Sequence, residues 1–248
     1  MRRLVYLTIA KIAKIAKIVS PSAPLFTPCS HACTHHCLLC SHLCLGSHTS
    51  APQFDASNVE AMACLAANCF YEDGPEVGLR YYRRLLQMGI NSTELWNNIG
   101  LCCFYSSQYD MALSCFERAL NLAGDDNMAD VWFNIGQVAI GIGDLSLAYQ
   151  AFKIAVSCDS NHAESYCNLG VLELRKQDNE TAQSMFATSH NLAPFLYEPS
   201  YNAALLCYKR GNLEGAFENV KMALEVYPEH RESLDLKADI SSVLFGMR

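Results

Sequence analysis

Five cysteines and five histidines crowd one stretch near the start of the chain: Cys29, Cys33, Cys37, Cys40, Cys44 with His31, His35, His36, His42 and His48. Soft thiolates and imidazoles at such density suit zinc. A folded zinc site also needs a second ligand pair across a foldable insert and hydrophobic residues to close over the metal. This stretch has no such pair and little hydrophobic material, and no metal site is expected in it. Just upstream, AKIAKIAKIV is a tandem triplet, and both segments read as low-complexity sequence, a variant start or a translated non-coding stretch joined to a real domain. The triplets could alternatively form a basic membrane-surface helix over residues 2–18. Lysine at every third position, however, drifts around such a helix, and it also interrupts the apolar core that a cleaved signal would need.

Other reactive side chains form no catalytic set. There is no Gly-rich phosphate loop, no HExxH and no Gly-x-Ser-x-Gly elbow, so neither an enzyme nor a cofactor is expected. His162, His190 and His230 fall near helix ends or turns and read as surface residues. Eight of the 13 cysteines lie beyond the leader without a CxxC pair, which points to reduced, structural thiols and an intracellular chain. Asn91-Ser-Thr and Asn179-Glu-Thr match the glycosylation pattern and read as chance matches in such a chain.

The more informative chemistry is polar and periodic. Asn98, Asn134, Asn168 and Asn202 recur at intervals of 36, 34 and 34 residues. A side-chain amide both donates and accepts, so such a ladder can hold an extended peptide backbone; equally, it can bond to neighbouring helices. Four residues before each asparagine stands an acid: Glu94, Asp130, Glu164 and Glu198. In a first helical turn each complements the helix dipole by about 0.3–1 kcal/mol, and together they could make one edge of a groove acidic.

The elements that carry these residues follow from the same period. A small-residue column runs Gly100, Gly136, Gly170 and Ala204; an alanine column runs Ala112, Ala148, Ala182 and Ala216. Four residues later come Phe116, Phe152, Phe186 and Val220, and aromatics precede the glycines at Trp96, Trp132 and Tyr166. Residues three and four apart share a helical face, so each unit reads as two short helices. Small residues let the pair approach, and a large ring fills the space between pairs. Gly143-Asp144 and Gly211-Asn212 mark matching turns, and Pro194 and Pro228 end units. A closing helix is expected over 231–244 with Leu234 and Leu236 facing inward. The expected organisation is a disordered leader over 1–53, then an all-α domain over 54–248 of about five repeats and the closing helix.

Charge divides the chain at the same place. Residues 1–54 hold five basic residues and no acid; the rest holds all 25 acids and 13 basic residues, a net −12. Such a body disfavours nucleic acid as a partner. No stretch of 18 uncharged apolar residues occurs, so transmembrane insertion is not expected.

These columns resemble the tetratricopeptide repeat over roughly Val59 to Pro228. The resemblance implies a right-handed helix-turn-helix solenoid, with the first helix of each unit lining a concave groove that binds protein. Where some members grip an acidic peptide terminus with Lys and Arg, this chain has Asn97, Phe133, Cys167 and Tyr201, so that carboxylate clamp is absent. The strings SNVEAMACLAANCFYEDGPEVGLRYYRRLLQMGINSTELWNNIG and APFLYEPSYNAALLCYKRGNLEGAFENVKMALEVYPEHRES resemble more narrowly the tetratricopeptide subunits of the BBSome. That likeness, over about 54–248, implies a scaffold contacting other BBSome subunits, with ciliary membrane-protein cargo and a small Arf-like GTPase met through the complex. It further implies residence in the cytoplasm, cilium, basal body, centrosome and centriolar satellites. It also implies missing upstream repeats. Two other readings are a free peptide-binding adaptor using the asparagines and, more remotely, a metal protein dependent on the leader.

Overall fold

The computed structural model describes residues 59–246, which form eleven α-helices and, among the described residues, no strand. They are α1 (Val59–Tyr71), α2 (Pro75–Gln87), α3 (Thr93–Tyr105), α4 (Tyr109–Leu122), α5 (Asp125–Ile142), α6 (Leu145–Cys158), α7 (Ala163–Arg175), α8 (Asn179–Leu192), α9 (Glu198–Lys209), α10 (Leu213–Val226) and α11 (Arg231–Phe245). The order is five helical hairpins, α1–α2 to α9–α10, and a closing helix. The Cys/His cluster and the basic triplets lie outside the described residues.

Local chemistry starts and turns each hairpin. Ser92, Asp144, Asp178 and Asn212 cap α3, α6, α8 and α10, each side-chain oxygen accepting from a backbone N–H three residues on, which satisfies one of the orphan donors of a helix start. Pro75 opens α2, where a missing N–H costs nothing. Within every hairpin one residue takes the left-handed conformation: Asp73, Ser107, Gly143, Gln177 and Gly211, with φ between 59° and 92°. The next N–H then reaches back across the turn, Gly74 to the Cys69 carbonyl, Gln108 to Cys103, Asp144 to Ala139, Asp178 to Glu173 and Asn212 to Cys207, at 2.8–3.1 Å. This closes the first helix on itself and aims the second back along it.

The described chain divides into two compact units between Val138 and Ala139, a point within α5. In the first unit the α4 stripe of Ala112, Cys115, Phe116 and Ala119 is buried. A Cβ on Gly100 would stand 3.0 Å from the Phe116 ring, and one on Gly78 only 2.8 Å from the Ala66 carbonyl oxygen. Close approach of paired helices therefore rests on these small residues. Trp96 is half-buried instead of filling the core; its Nε1 donates to Asn91 Oδ1 at 2.6 Å and the Arg118 guanidinium lies over its ring. Trp132 is likewise half-buried, while Gly136 beside it is buried.

The second unit repeats the scheme. Ala148, Phe152, Ala182, Phe186, Ala216 and Val220 are all buried, and each phenylalanine contributes about 1.5–3 kcal/mol by leaving water. Ser189 occupies an alanine position and satisfies its hydroxyl by donating to the Ala163 carbonyl at 2.7 Å. The closing helix buries Leu236 and Ile240 against Tyr197, Tyr201 and Val220. Leu234, expected to face inward with Leu236, is instead 46% exposed. Two residues along a helix is a rotation of about 200°, so the pair cannot share a face.

Candidate partner-binding face

The asparagine column sits on the first helix of its hairpins: Asn98 on α3, Asn134 on α5, Asn168 on α7 and Asn202 on α9. All four side chains are buried, and the column divides by what each amide meets. Within the first unit Asn134 Nδ2 donates to Asn97 Oδ1 at 3.2 Å. Within the second, Asn202 Nδ2 donates to Cys167 Sγ at 3.5 Å, and sulfur is a weak acceptor. Both bonds tie one repeat to the one before it, in the manner of helix-to-helix bonding. Asn168 differs. Its side chain is 1% exposed, yet neither Nδ2 nor Oδ1 has a hydrogen-bond partner among the described residues. Gln137, one residue after Gly136, is buried with both amide atoms in the same condition.

Burying an amide without a partner costs roughly 1–3 kcal/mol on protein scales, so folds keep few such groups. Asn168 and Gln137 are thus two buried amides whose desolvation no hydrogen bond within the described residues offsets. Sequence reasoning missed Gln137 and the acceptor role of Asn97. The Asn97-Asn98 doublet was the available signal for the latter.

The acidic row does not form one exposed rim. Glu94 is partly buried and accepts from Asn127 Nδ2 at 3.1 Å, and Glu164 lies 3.5 Å from His162 Nδ1. Asp130 is partly buried. Glu198 is wholly buried, because α9 is packed by α7, α8, α10 and α11 and its first turn goes under with the rest. Beside it, burial and then the Glu232 and Asp235 carboxylates push the Tyr201 phenol up to about 12.

Two histidines read from sequence as surface residues are buried helix caps. His162 Nδ1 accepts from the Ser165 N–H at 3.2 Å and His230 Nδ1 from the Ser233 N–H at 3.3 Å. Each ring caps its helix through Nδ1, and for His230 the other ring nitrogen lies 3.2 Å from Glu232 Oε2. The recurring His-x-x-Ser, two repeats apart, was the sequence signal for this role. Among the described residues no group of three or more His, Cys, Asp or Glu could hold a metal ion, and no helix is long and apolar enough to cross a membrane.

Comparison with known proteins agrees with this architecture. The family model described as "Tetratricopeptide repeat" matches residues 93–126, which are the α3–α4 hairpin and its flanks. Tetratricopeptide repeat protein 8 of Mus musculus is 49% identical over 183 residues, 73% of this chain and 36% of that protein. BBSome complex member BBS4 of Xenopus tropicalis is more distant, 31% identical over 141 residues, 57% of this chain and 27% of the other. The chain spans about a third of the length of the curated relatives it matches. Among solved structures, that of Pseudomonas aeruginosa pilF superposes with a TM-score of 0.64 at 18% identity, over 75% of this chain and 84% of that one. This likeness bears on the fold.

Proposed function

We propose, from the premise that this chain is a tetratricopeptide-repeat solenoid similar to tetratricopeptide repeat protein 8, that it is a non-catalytic scaffold subunit of a BBSome-like assembly. The 49% identity over 73% of the chain carries the reading. It is supported by the weaker likeness to a protein named BBSome complex member BBS4. Repeats stacked in this way bury a core while leaving long helical surfaces for partners. In this role the chain grips neighbouring BBSome subunits and reaches ciliary membrane-protein cargo and a small Arf-like GTPase through the complex. It resides in the cytoplasm and at the cilium, basal body, centrosome and centriolar satellites. Residues 1–53 are a separate leader with no part in binding.

The test is affinity purification of the tagged chain from ciliated cells, beside a version starting at Phe54, with co-purifying proteins identified by mass spectrometry. Recovery of BBSome subunits with both versions supports the scaffold. Recovery with neither overturns it, and recovery with the longer version alone overturns the assignment of the leader.

A second reading, a free adaptor for extended peptides, rests on the unpartnered Asn168 amide and requires α7 to shift so that a side chain only 1% exposed reaches a ligand. Titration of the purified chain with peptide libraries, alongside Asn168→Ala, separates the two. Micromolar binding that the substitution abolishes would put the adaptor ahead.

A further inference from the structure

Between Val59 and Val138 the first unit has ten acids and four basic residues, and all four are arginines: Arg80, Arg83 and Arg84 on α2 and Arg118 on α4. A segment of net −6 thus gathers its whole positive charge on the second helices of two successive hairpins. The arginines stand in register with exposed apolar residues. Val77, Arg80 and Arg84 follow one another at three and four residues and share a face of α2. Met111, Ser114 and Arg118 stand 34 residues after each of them on α4, and Leu122 extends that stripe. Val77, Met111 and Leu122 are 42, 46 and 43% exposed, and Arg80, Arg84, Ser114 and Arg118 are exposed beside them. Among the described residues no carboxylate pairs with any of the four arginines: Arg84 Nη1 donates to Gln87 Oε1 at 3.4 Å, and the Arg118 guanidinium lies 4.8 Å from the centre of the Trp96 ring. Where α2 has Arg80 and Arg84, the later second helices have Gln150 and Ile154, Ser184 and Thr188, Glu218 and Met222, so the repeat itself does not require arginine there.

We infer that this face of α2 and α4 docks an acidic amphipathic segment of a partner protein. Its carboxylates pair with Arg80, Arg84 and Arg118, and its apolar side chains cover Val77, Met111 and Leu122. Arginine presents a planar fork that takes a carboxylate in two parallel hydrogen bonds, which lysine cannot do. An ion pair left in water is worth little; apolar cover around it excludes water and makes the pair count. A membrane surface or a nucleic acid fits this face less well. Glu76, Asp110 and Glu117 are exposed on the same two helices, and a broad anionic surface would meet them together with the arginines. A narrow segment can follow the stripes and avoid them. The inference concerns the second helices, not the asparagine-bearing first helices, and it holds whether or not the chain joins a BBSome-like assembly.

The probe is a fluorescein-labelled amphipathic helical peptide of leucine, alanine and glutamate, titrated with the full chain by fluorescence anisotropy beside the same peptide with lysine for glutamate. Expected is micromolar binding of the acidic peptide that weakens as salt is raised, and none of the lysine peptide. Arg80→Glu with Arg84→Glu, its fold checked by circular dichroism, should weaken binding about tenfold or more. Met111→Ser with Leu122→Ser should weaken it too, with no change of charge. Lys221→Glu, a reversal at an exposed residue of the second unit, should leave it unaltered. Equal weakening by Lys221→Glu would reduce the effect to long-range charge and overturn the proposal. So would unchanged affinity in the folded arginine variant, which would put the binding on the five basic residues between Arg2 and Lys17. Arginine-dependent sedimentation with phosphatidylserine vesicles in place of peptide binding would give the face to a membrane, and self-association that the arginine variant abolishes would give it to a second copy; either result overturns the acidic partner.

Discussion

Replacing Gly170 by alanine sets two known effects against each other, and the structure decides which is larger. Alanine is favoured over glycine in a helix interior by about 1 kcal/mol, so propensity alone makes Gly170→Ala stabilising. The new Cβ, however, would lie 2.7, 2.9 and 3.2 Å from three ring atoms of Phe186. That ring is buried among Cys167, Val171, Ala182 and Leu206 and is no flexible tip that can swing aside. Overpacking of this kind costs about 1–3 kcal/mol, which leaves a net loss of about 1 kcal/mol. At Gly100 the equivalent contacts to Phe116 are 3.0, 3.1 and 3.2 Å, a few tenths of an ångström looser. Gly100→Ala should therefore be close to neutral. With a urea m-value of about 2 kcal/mol/M, the Gly170 variant loses about 0.5 M in midpoint. Urea unfolding followed by circular dichroism reads both variants. Phe186→Leu, made in the Gly170→Ala background, should cost clearly less than it does alone, because it vacates the clash. A higher midpoint for Gly170→Ala, or simple additivity with Phe186→Leu, would refute the packing argument.

Further expectations concern turns, amides and pH. Gln177→Gly and Ser107→Gly should each raise stability by about 0.5–1 kcal/mol, because both residues hold positive φ. Gly211→Ala, where a Cβ meets nothing within 4 Å, should lower it by about 1 kcal/mol through backbone strain alone; thermal melts of the three variants check both signs. Asn134→Ala strips the hydrogen bond from buried Asn97 Oδ1 and should cost about 1–3 kcal/mol. Asn168→Ala removes an amide that has no partner and should be neutral or stabilising, so equal losses at the two sites would contradict the division of the column. The Asp178 carboxylate is held below its ordinary value of 3.8 by the Thr181 hydroxyl and then the Thr181 backbone N–H. A depressed folded value means that its contribution is complete above about pH 4 and lost as the pH falls through the folded value. In Asp178→Asn, stability below pH 4 should fall less steeply than in the parent, and identical acid limbs would exclude this cap as a source.

The repeat architecture was legible because its causes are periodic and local. Ala112, Phe116 and Ala119 share one face whatever surrounds them, and the glycine column fixes where a second helix must pass. What stayed hidden depends on partners distant in sequence. Glu198 looked like the other acids of its row, yet four helices pack around α9 and cover it. His162 and His230 looked like turn residues, since a histidine cap is uncommon and only a serine three places on reveals it. Leu234 and Leu236 stand two residues apart, so one faces solvent where the other is buried. The four asparagines looked equivalent, and they are distinguished only by the residue each one meets.

That inequality among the asparagines bears on how a chain of near-identical parts avoids assembling wrongly. Hairpins with the same glycine, alanine and phenylalanine columns could in principle stack out of order, or against hairpins of another molecule emerging from a nearby ribosome. Asn134 finds a matching amide where Asn97 stands, and Asn202 donates to the thiol at Cys167. A wrongly ordered stack would bury those amides against Phe133 or Tyr201 positions instead, and each such mismatch is penalised. The mating surfaces of this solenoid are therefore lettered, and the letters favour each hairpin's own neighbour over a look-alike.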